Sequence, residues 1–338
     1  MTERDWRSRD RVPNASGRRR SVQNAAGQAA RRVVEQVFPF ARSMTPTLRA
    51  PLPGTPLYLP EDEALAGPLS PVLGSIGPLE VRLATTPRDI HRAQRLRFDV
   101  FYKEMSAKPG MLHRLLRRDF DRYDPLCDHL LVLDHDAPPD PRTGEPAIVG
   151  TYRLLPQSVA EENDGFYTTG EYRIDALVEA RPDLTFLELG RSCVLKPYRT
   201  KRTVELLWHG IWRYVVHSGI DVLFGCASLE GTEPDELALP LSYLHHYARA
   251  EPAWRVEALP ELHEPMDLLP KDELDTKKAL KALPPLIKGY LRLGGLIGDG
   301  AVVDHQFGTT DVLVVLPVEK ISQRYISYYG PDAERRAN

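Results

Sequence analysis

Phe186–Thr203 reads F-L-E-L-G-R-S-C-V-L-K-P-Y-R-T-K-R-T and runs directly into V-E-L-L-W-H-G-I-W-R-Y-V-V. The first half alternates and then turns apolar, as a buried strand does. Pro197 ends that strand, and the apolar spacing that follows predicts a helix. Asp221–Ala227, D-V-L-F-G-C-A, reads as a second strand, so the three pieces make one βαβ unit. Five basic residues (Arg191, Lys196, Arg199, Lys201, Arg202) crowd the strand and turn. They stand where a helix N-terminus would meet an anionic group, because its free N–H groups and dipole favour negative charge.

Outward from this unit, the 338 residues are 42% hydrophobic, enough for a sizeable core. The net charge of −3 is unevenly spread. Residues 1–50 hold eleven Arg and four acids, about +7, which leaves about −10 for the rest. Cys127, Cys193 and Cys226 lack metal or disulfide spacing, which suits a reducing compartment. No stretch approaches the ~20 apolar residues of a membrane span, and no secretory signal core is visible, so a cytoplasmic protein is expected.

Residues 1–78 read as a basic extension and linker. Val22, Ala26, Ala29, Val33 and Val37 recur at helical spacing, and a basic helix there could touch the inner face of a membrane. Pro39–Pro78 holds nine prolines without periodicity. The folded domain is expected over 79–320, with 321–338 as a tail. Leu79–Ala84 reads as a strand, and Pro87 opens a helix that runs to Met105. His129–Asp134 and Ala147–Leu154 read as a hairpin around a Pro/Gly-rich turn. Helices are expected at Glu236–Tyr247 and Ala282–Leu293, and further strands at Ala301–Asp304 and Asp311–Leu316. The class is α/β (α+β), with one mixed central sheet and flanking helices.

Zinc-protease, paired C-x-x-C, nucleophile-elbow, phosphate-loop and dinucleotide motifs are all lacking. Neither a metal nor a nucleic acid is expected as a partner. Charged residues instead stand where plain cores would not place them. Glu188 and Arg191, three apart in one strand, face opposite ways unless a bulge at Gly190 re-aims one of them. Asp121 and Asp124 cluster just before a strand, Arg97 and Glu104 flank Phe101 on the first helix, and Arg153 sits near a strand end. Singly, each has a plain reading as an ion pair, a turn cap or a solvated face.

Together, L-R-F-D-V-F-Y-K-E at Leu96–Glu104, D-R-Y-D at Asp121–Asp124, D-H-L at Asp128–Leu130, Arg153 and E-L-G-R at Glu188–Arg191 resemble the fingerprint of the acyl-homoserine lactone synthases. The likeness is closer still to the ornithine acyl-[acyl carrier protein] N-acyltransferases. It takes in E-L-G-R-S-C-V, G-C-A-S-L-E-G-T at Gly225–Thr232, L-P-P-L-I-K-G-Y-L-R-L-G at Leu283–Gly294 and G-A-V-V-D at Gly300–Asp304. The resemblance covers about residues 79–317.

The resemblance implies a Gcn5-related N-acyltransferase fold. It also implies transfer of a long, 3-hydroxylated acyl chain from acyl carrier protein to the α-amino group of L-ornithine, the first step toward ornithine lipid. The cofactor is then the 4'-phosphopantetheine supplied by the carrier, with none resident. In that frame Glu188 and Arg191 are the expected catalytic pair. Arg97, Phe101, Glu104, Asp121, Asp124 and Arg153 would bind substrate, the two aspartates taking the ornithine side-chain ammonium. Ser192, Cys193, Val194, Arg199, Lys201 and Arg202 would hold the pantetheine arm, and Trp208, Trp212 and Phe224 the acyl chain. The turn R-T-K-R-T has no glycine, where relatives that use coenzyme A carry R-x-x-G-x-G/A. Its side-chain cations fit a single carrier-borne phosphate and an acidic carrier surface, which Arg114, Arg117 and Arg118 would extend. The alternatives are an N-acyl amino acid synthase acting on another amine and a non-catalytic acyl-carrier or membrane-binding protein of this fold.

Overall fold

The strand over Phe186–Val194 lies deep in an eight-stranded sheet, and everything near the site hangs from it. The structure is a computed structural model and describes residues 69–105 and 107–321. The basic helix expected over Ser21–Val37 and the tail after 321 lie outside the described residues. In chain order the strands are β1 (Val72–Ile76), β2 (Leu79–Leu83), β3 (Asp128–Asp134), β4 (Ala147–Pro156), β5 (Phe186–Val194), β6 (Val222–Glu230), β7 (Leu296–Asp304) and β8 (Thr309–Pro317). They are ordered β1-β2-β3-β4-β5-β6-β8-β7. Every neighbouring pair is antiparallel except β5 and β6, the pair that the βαβ reading requires to be parallel.

The helices are α1 (Pro87–Phe98), α2 (Met111–Leu116), α3 (Gln157–Glu162), α4 (Ile174–Glu179), α5 (Lys201–Ser218), α6 (Ala238–Ala248), α7 (Thr276–Ala282) and α8 (Pro285–Leu293). The crossover α5 is capped at both ends. The Thr200 hydroxyl accepts from the Thr203 N–H, and Gly219 closes the helix in the left-handed region at φ 62°. Its Leu206, Leu207 and Ile211 pack with Val81, Leu130 and Leu189 on one face of the sheet. On the opposite face, Phe186 and Phe224 join Phe166 and Trp254 in one cluster, and Cys193 joins Phe101 and Leu131 in another. Among the described residues, no helix is long and apolar enough to cross a membrane.

Several elements differ from the sequence reading. β1 falls inside the proline-rich stretch and pairs with β2, so the sheet begins before Leu79. Pro71 and Pro78 flank this edge strand rather than interrupt it. The first helix gives way at Asp99 to a π-helical stretch, Asp99–Glu104. Its wide turn buries the consecutive Val100, Phe101 and Tyr102 together. The helix expected over Ala282–Leu293 is found as α8, starting three residues later at Pro285, and α7 ends just before it. Leu283 is pushed to extended backbone by Pro284, and Pro285 can only start a helix. The helix expected from Glu236 opens as a 3-10 turn, Pro234–Leu237, before α6. Trp208 and Trp212 belong to the core against α5's face of the sheet.

The parallel pairing of β5 with β6 is short. Only Phe186–Glu188 stands in register with Val222–Phe224. Just beyond, a Cβ at Gly225 would lie 2.3 Å from the carbonyl oxygen of Leu189, so only glycine admits that approach. Gly225→Ala is expected to destabilise the fold by about 1–3 kcal/mol through this backbone clash, read as a lowered denaturant midpoint with an unchanged m-value.

Candidate active site

Past Glu188 the β5 strand bulges. Arg153 stands opposite Gly190 and Thr151 opposite Cys193, so β5 spends three steps where β4 spends two. Arg191 takes the left-handed backbone at φ 54°, a conformation that costs a side chain about 1–2 kcal/mol. The extra residue changes which side chains share a face. Leu187 and Leu189 point toward the α5 side, as does Val194 after the bulge. Glu188 and Arg191 therefore come to the same face, and both reach Tyr167. The Glu188 carboxylate accepts from the Tyr167 N–H at 2.7 Å, and the Arg191 guanidinium lies 5.1 Å from the Tyr167 ring centre. The bulge weighed from sequence is present and resolves the spacing.

Arg191 enters a buried network of three guanidiniums and three carboxylates. Arg97 pairs with Asp119 at 2.9 Å and with Asp124 at 2.8 Å. Arg153 pairs with Asp121 at 2.8 Å, and Arg191 pairs with Asp119 at 3.3 Å and with Asp121. Each of these six side chains is at most 4% exposed. Gln94 and the Tyr102 hydroxyl donate to Asp124 and Asp119. Burial acts to raise the Asp124 carboxyl, but the guanidiniums of Arg97 and Arg153 outweigh it and hold the group well below the carboxylate range. Asp121 is lowered in the same way, against burial, by Arg153 and Arg191. Such an arrangement is stable only as a whole, since removing one partner strands a buried charge at about 3–5 kcal/mol.

Beside the network opens a cleft bordered by β4, the bulged part of β5, and Cys226 of β6. Arg153, Glu188, Gly190, Arg191 and Ser192 line it, together with Tyr152, Tyr167 and Tyr290. Glu188 is fixed there by three donors: the N–H groups of Tyr167 and Thr168 and the Thr168 hydroxyl, at 2.7, 2.8 and 2.5 Å. The phenols of Tyr152 and Tyr290 meet at 2.9 Å. Burial raises both phenols, so they remain protonated hydrogen-bonding groups. The cleft thus joins a fixed carboxylate, two guanidiniums and two phenols beside bulged backbone.

The Acetyltransferase (GNAT) domain family matches residues 96–209, which run from the end of α1 through β3, β4 and β5 into the first half of α5. An L-ornithine N(alpha)-acyltransferase of Rhizobium meliloti (strain 1021) is 55% identical over 273 residues, 81% of this chain and 91% of that protein. One from Agrobacterium fabrum (strain C58 / ATCC 33970) is 55% identical over 78% of this chain and 89% of its own length. The chain belongs to the L-ornithine N(alpha)-acyltransferase family. Among solved structures, an N-acyl amino acid synthase from uncultured soil microbes aligns with 76% of this chain and 97% of its own. It does so at 9% identity and a TM-score of 0.39.

In this family member the expected site residues fall into three groups. Glu188, Arg191, Arg153 and Ser192 line the cleft. Arg97, Asp121 and Asp124 lie behind it and are bound to one another and to the cleft arginines. Asp121 and Asp124, expected to receive an ammonium, are buried against internal guanidiniums instead. The third group is apart from the cleft. Phe101 and Cys193 are fully buried core residues, and Val194 packs under α5. Arg199 is held by Glu104 at 2.5 and 2.9 Å and donates to the Val194 carbonyl at 3.0 Å, so this pair braces the turn. Lys196, Lys201 and Arg202 are the exposed cations of that turn. Phe224, expected along the acyl chain, is in the core, and Cys226 from the same strand borders the cleft.

Asp119, Tyr152, Tyr167 and Tyr290 were missed. Asp119 sits in the same acidic run as Asp121 and Asp124, a signal that was available. The tyrosines carry no local signal, because three different elements bring them together.

His129 gives the network a pH signature. Its Nε2–H donates to the Asp124 carbonyl at 2.8 Å, and burial and the Arg97 guanidinium push its pKa down to about 4 from its ordinary 6.5. Between those values the unfolded chain binds a proton that the native chain refuses, so stability rises with pH there. Unfolding free energy is expected to fall as pH drops from 6.5 toward 4. Below that, protonation of Asp121 and Asp124 adds a second loss. Chemical denaturation of wild type and His129→Gln across this range checks the first window, where the variant should show a shallower slope.

Proposed function

We propose that this chain transfers a long-chain 3-hydroxyacyl group from acyl carrier protein to the α-amino group of L-ornithine, releasing lyso-ornithine lipid and free carrier thiol. The observation that carries the reading is the family match across four-fifths of the chain, converging on a cleft where Glu188, Arg153 and Arg191 meet. Ornithine enters as an α-ammonium, and the nucleophile must be the neutral amine. Glu188, aimed by its three donors, accepts that proton through a water molecule. Arg153 and Arg191 orient the ornithine carboxylate by charge-assisted hydrogen bonds, while Asp119, Asp121 and Asp124 keep the guanidiniums in place.

The amine nitrogen attacks the thioester carbonyl, the C–N bond forms and negative charge develops on oxygen. The β4–β5 register shifts between Thr151 and Arg153, and backbone N–H groups around Gly190–Cys193 are assigned to this oxyanion. Collapse breaks the C–S bond, and the second proton that the nitrogen loses as the amide forms passes to the departing thiolate, giving the carrier's thiol. The Tyr152–Tyr290 phenol pair supplies the hydrogen bond that eases its departure. The phosphate of the pantetheine arm is assigned to the N-terminus of α5, with Lys201 and Arg202 exposed beside its first turn. Arg199 and Glu104 shape that turn rather than touch the phosphate. The donor's carrier places the reaction in the cytoplasm.

Release of free carrier thiol from acyl carrier protein, followed with ornithine and with a panel of other amino acids, tests the reading. Glu188→Gln is expected to lower kcat by about 10²–10⁴ with the KM for acyl carrier protein nearly unchanged. Thiol release that is faster with another amine overturns the choice of ornithine. A variant that turns over within a few-fold of wild type removes Glu188 from the proton transfer.

A further inference from the structure

The sequence K-P-G-M-L-H-R-L-L-R-R at Lys108–Arg118 carries four cations, one histidine and no acid. In the structure its helix α2 leaves large apolar side chains in solvent: Met111 is 85% exposed, Leu112 59%, Leu115 75% and Leu116 42%. At 100° per residue these four form one stripe about 140° wide, with His113 buried on the far side. Arg114 is exposed beyond one edge of the stripe, Arg117 is exposed at the left-handed residue that ends the helix, and among the described residues none of the four cations makes an ion pair.

We propose that α2 is an interfacial docking element that seats this enzyme on an anionic bilayer. Met111, Leu112, Leu115 and Leu116 enter the headgroup–acyl boundary, and Lys108, Arg114, Arg117 and Arg118 meet the lipid phosphates. Charge complementarity alone would also fit an acidic protein such as the carrier. An acidic protein would have to present an apolar groove of its own to cover four adjacent apolar side chains, whereas any bilayer interface takes both kinds of group at their own depths. Each cation held at an anionic surface strengthens partition by roughly fivefold.

The element is fastened to the site. His113 Nε2 hydrogen-bonds the Phe120 carbonyl at 3.1 Å, and its ring packs 4.7 Å from that of Phe120. Phe120 lies between Asp119 and Asp121 of the charge network. Docking through α2 therefore sets the network, and the cleft beside it, close to the membrane into which a singly acylated product partitions. The surface itself stands whichever amine the cleft accepts.

Flotation of the full chain with vesicles of phosphatidylcholine, alone or mixed with phosphatidylglycerol, tests the proposal. Wild type is expected to float with the mixed vesicles and much less with the neutral ones. Leu112→Asp/Leu115→Asp should cut binding by at least roughly tenfold, since burying even one leucine contributes that much. Both positions are exposed, so the variant should keep its melting temperature and its turnover of soluble acyl carrier protein. Equal flotation of this variant, or no flotation of wild type, overturns the proposal. So does a rise in KM for acyl carrier protein, which would make α2 the carrier's surface, or a loss of self-association without loss of lipid binding.

Discussion

One extra residue in β5 decides how this site is built. Without the bulge at Gly190–Arg191, the strand's strict alternation would send Glu188 and Arg191 to opposite faces of the sheet. With it, both reach Tyr167, and Arg191 closes a neutral lattice of three guanidiniums and three carboxylates. The cost of a left-handed arginine is small beside that of an unpaired charge in the same place. Departure of β5 from β6 begins at the same point, so the feature that gathers the charges also opens the cleft.

The network divides labour between residues that could touch a substrate and residues that hold them. Arg153 and Arg191 line the cleft, while Asp121 and Asp124 are buried at their backs. A guanidinium has five donors, so one held from behind by a carboxylate still presents N–H groups forward. Preorganisation of this kind spares the site the cost of orienting long, flexible side chains when an anion arrives. Arg199 and Glu104 do the same for the basic turn, leaving Lys196, Lys201 and Arg202 as its exposed charge.

Much of the fold was legible in the sequence because it is written in local periodicity. The βαβ unit and the β3–β4 hairpin follow from alternation, helical spacing and punctuation by Pro and Gly. Prolines misled once: Pro71 and Pro78 masked an edge strand that needs no central hydrogen bonds from them. The π-helical turn at Asp99–Glu104 was hidden because its cause is burial of three consecutive side chains, not a local preference.

The sequence by itself determined the mixed sheet, the parallel β5–β6 pair and the set of charged residues in unlikely surroundings, since each depends on residues close together in the chain. It also carried the likeness that the relatives bear out. Only the tertiary structure decided what each charge does. As sequence, Asp121 and Asp124 suit a ligand or an arginine equally, and the choice rests on Arg153 of β4 and Arg191 of β5 arriving beside them. The exposure of Met111, Leu112, Leu115 and Leu116 was settled there too. Their spacing suits a buried face equally well, and among the described residues no element covers them. Local pattern fixes the elements, whereas partnership between distant residues is fixed by how those elements pack.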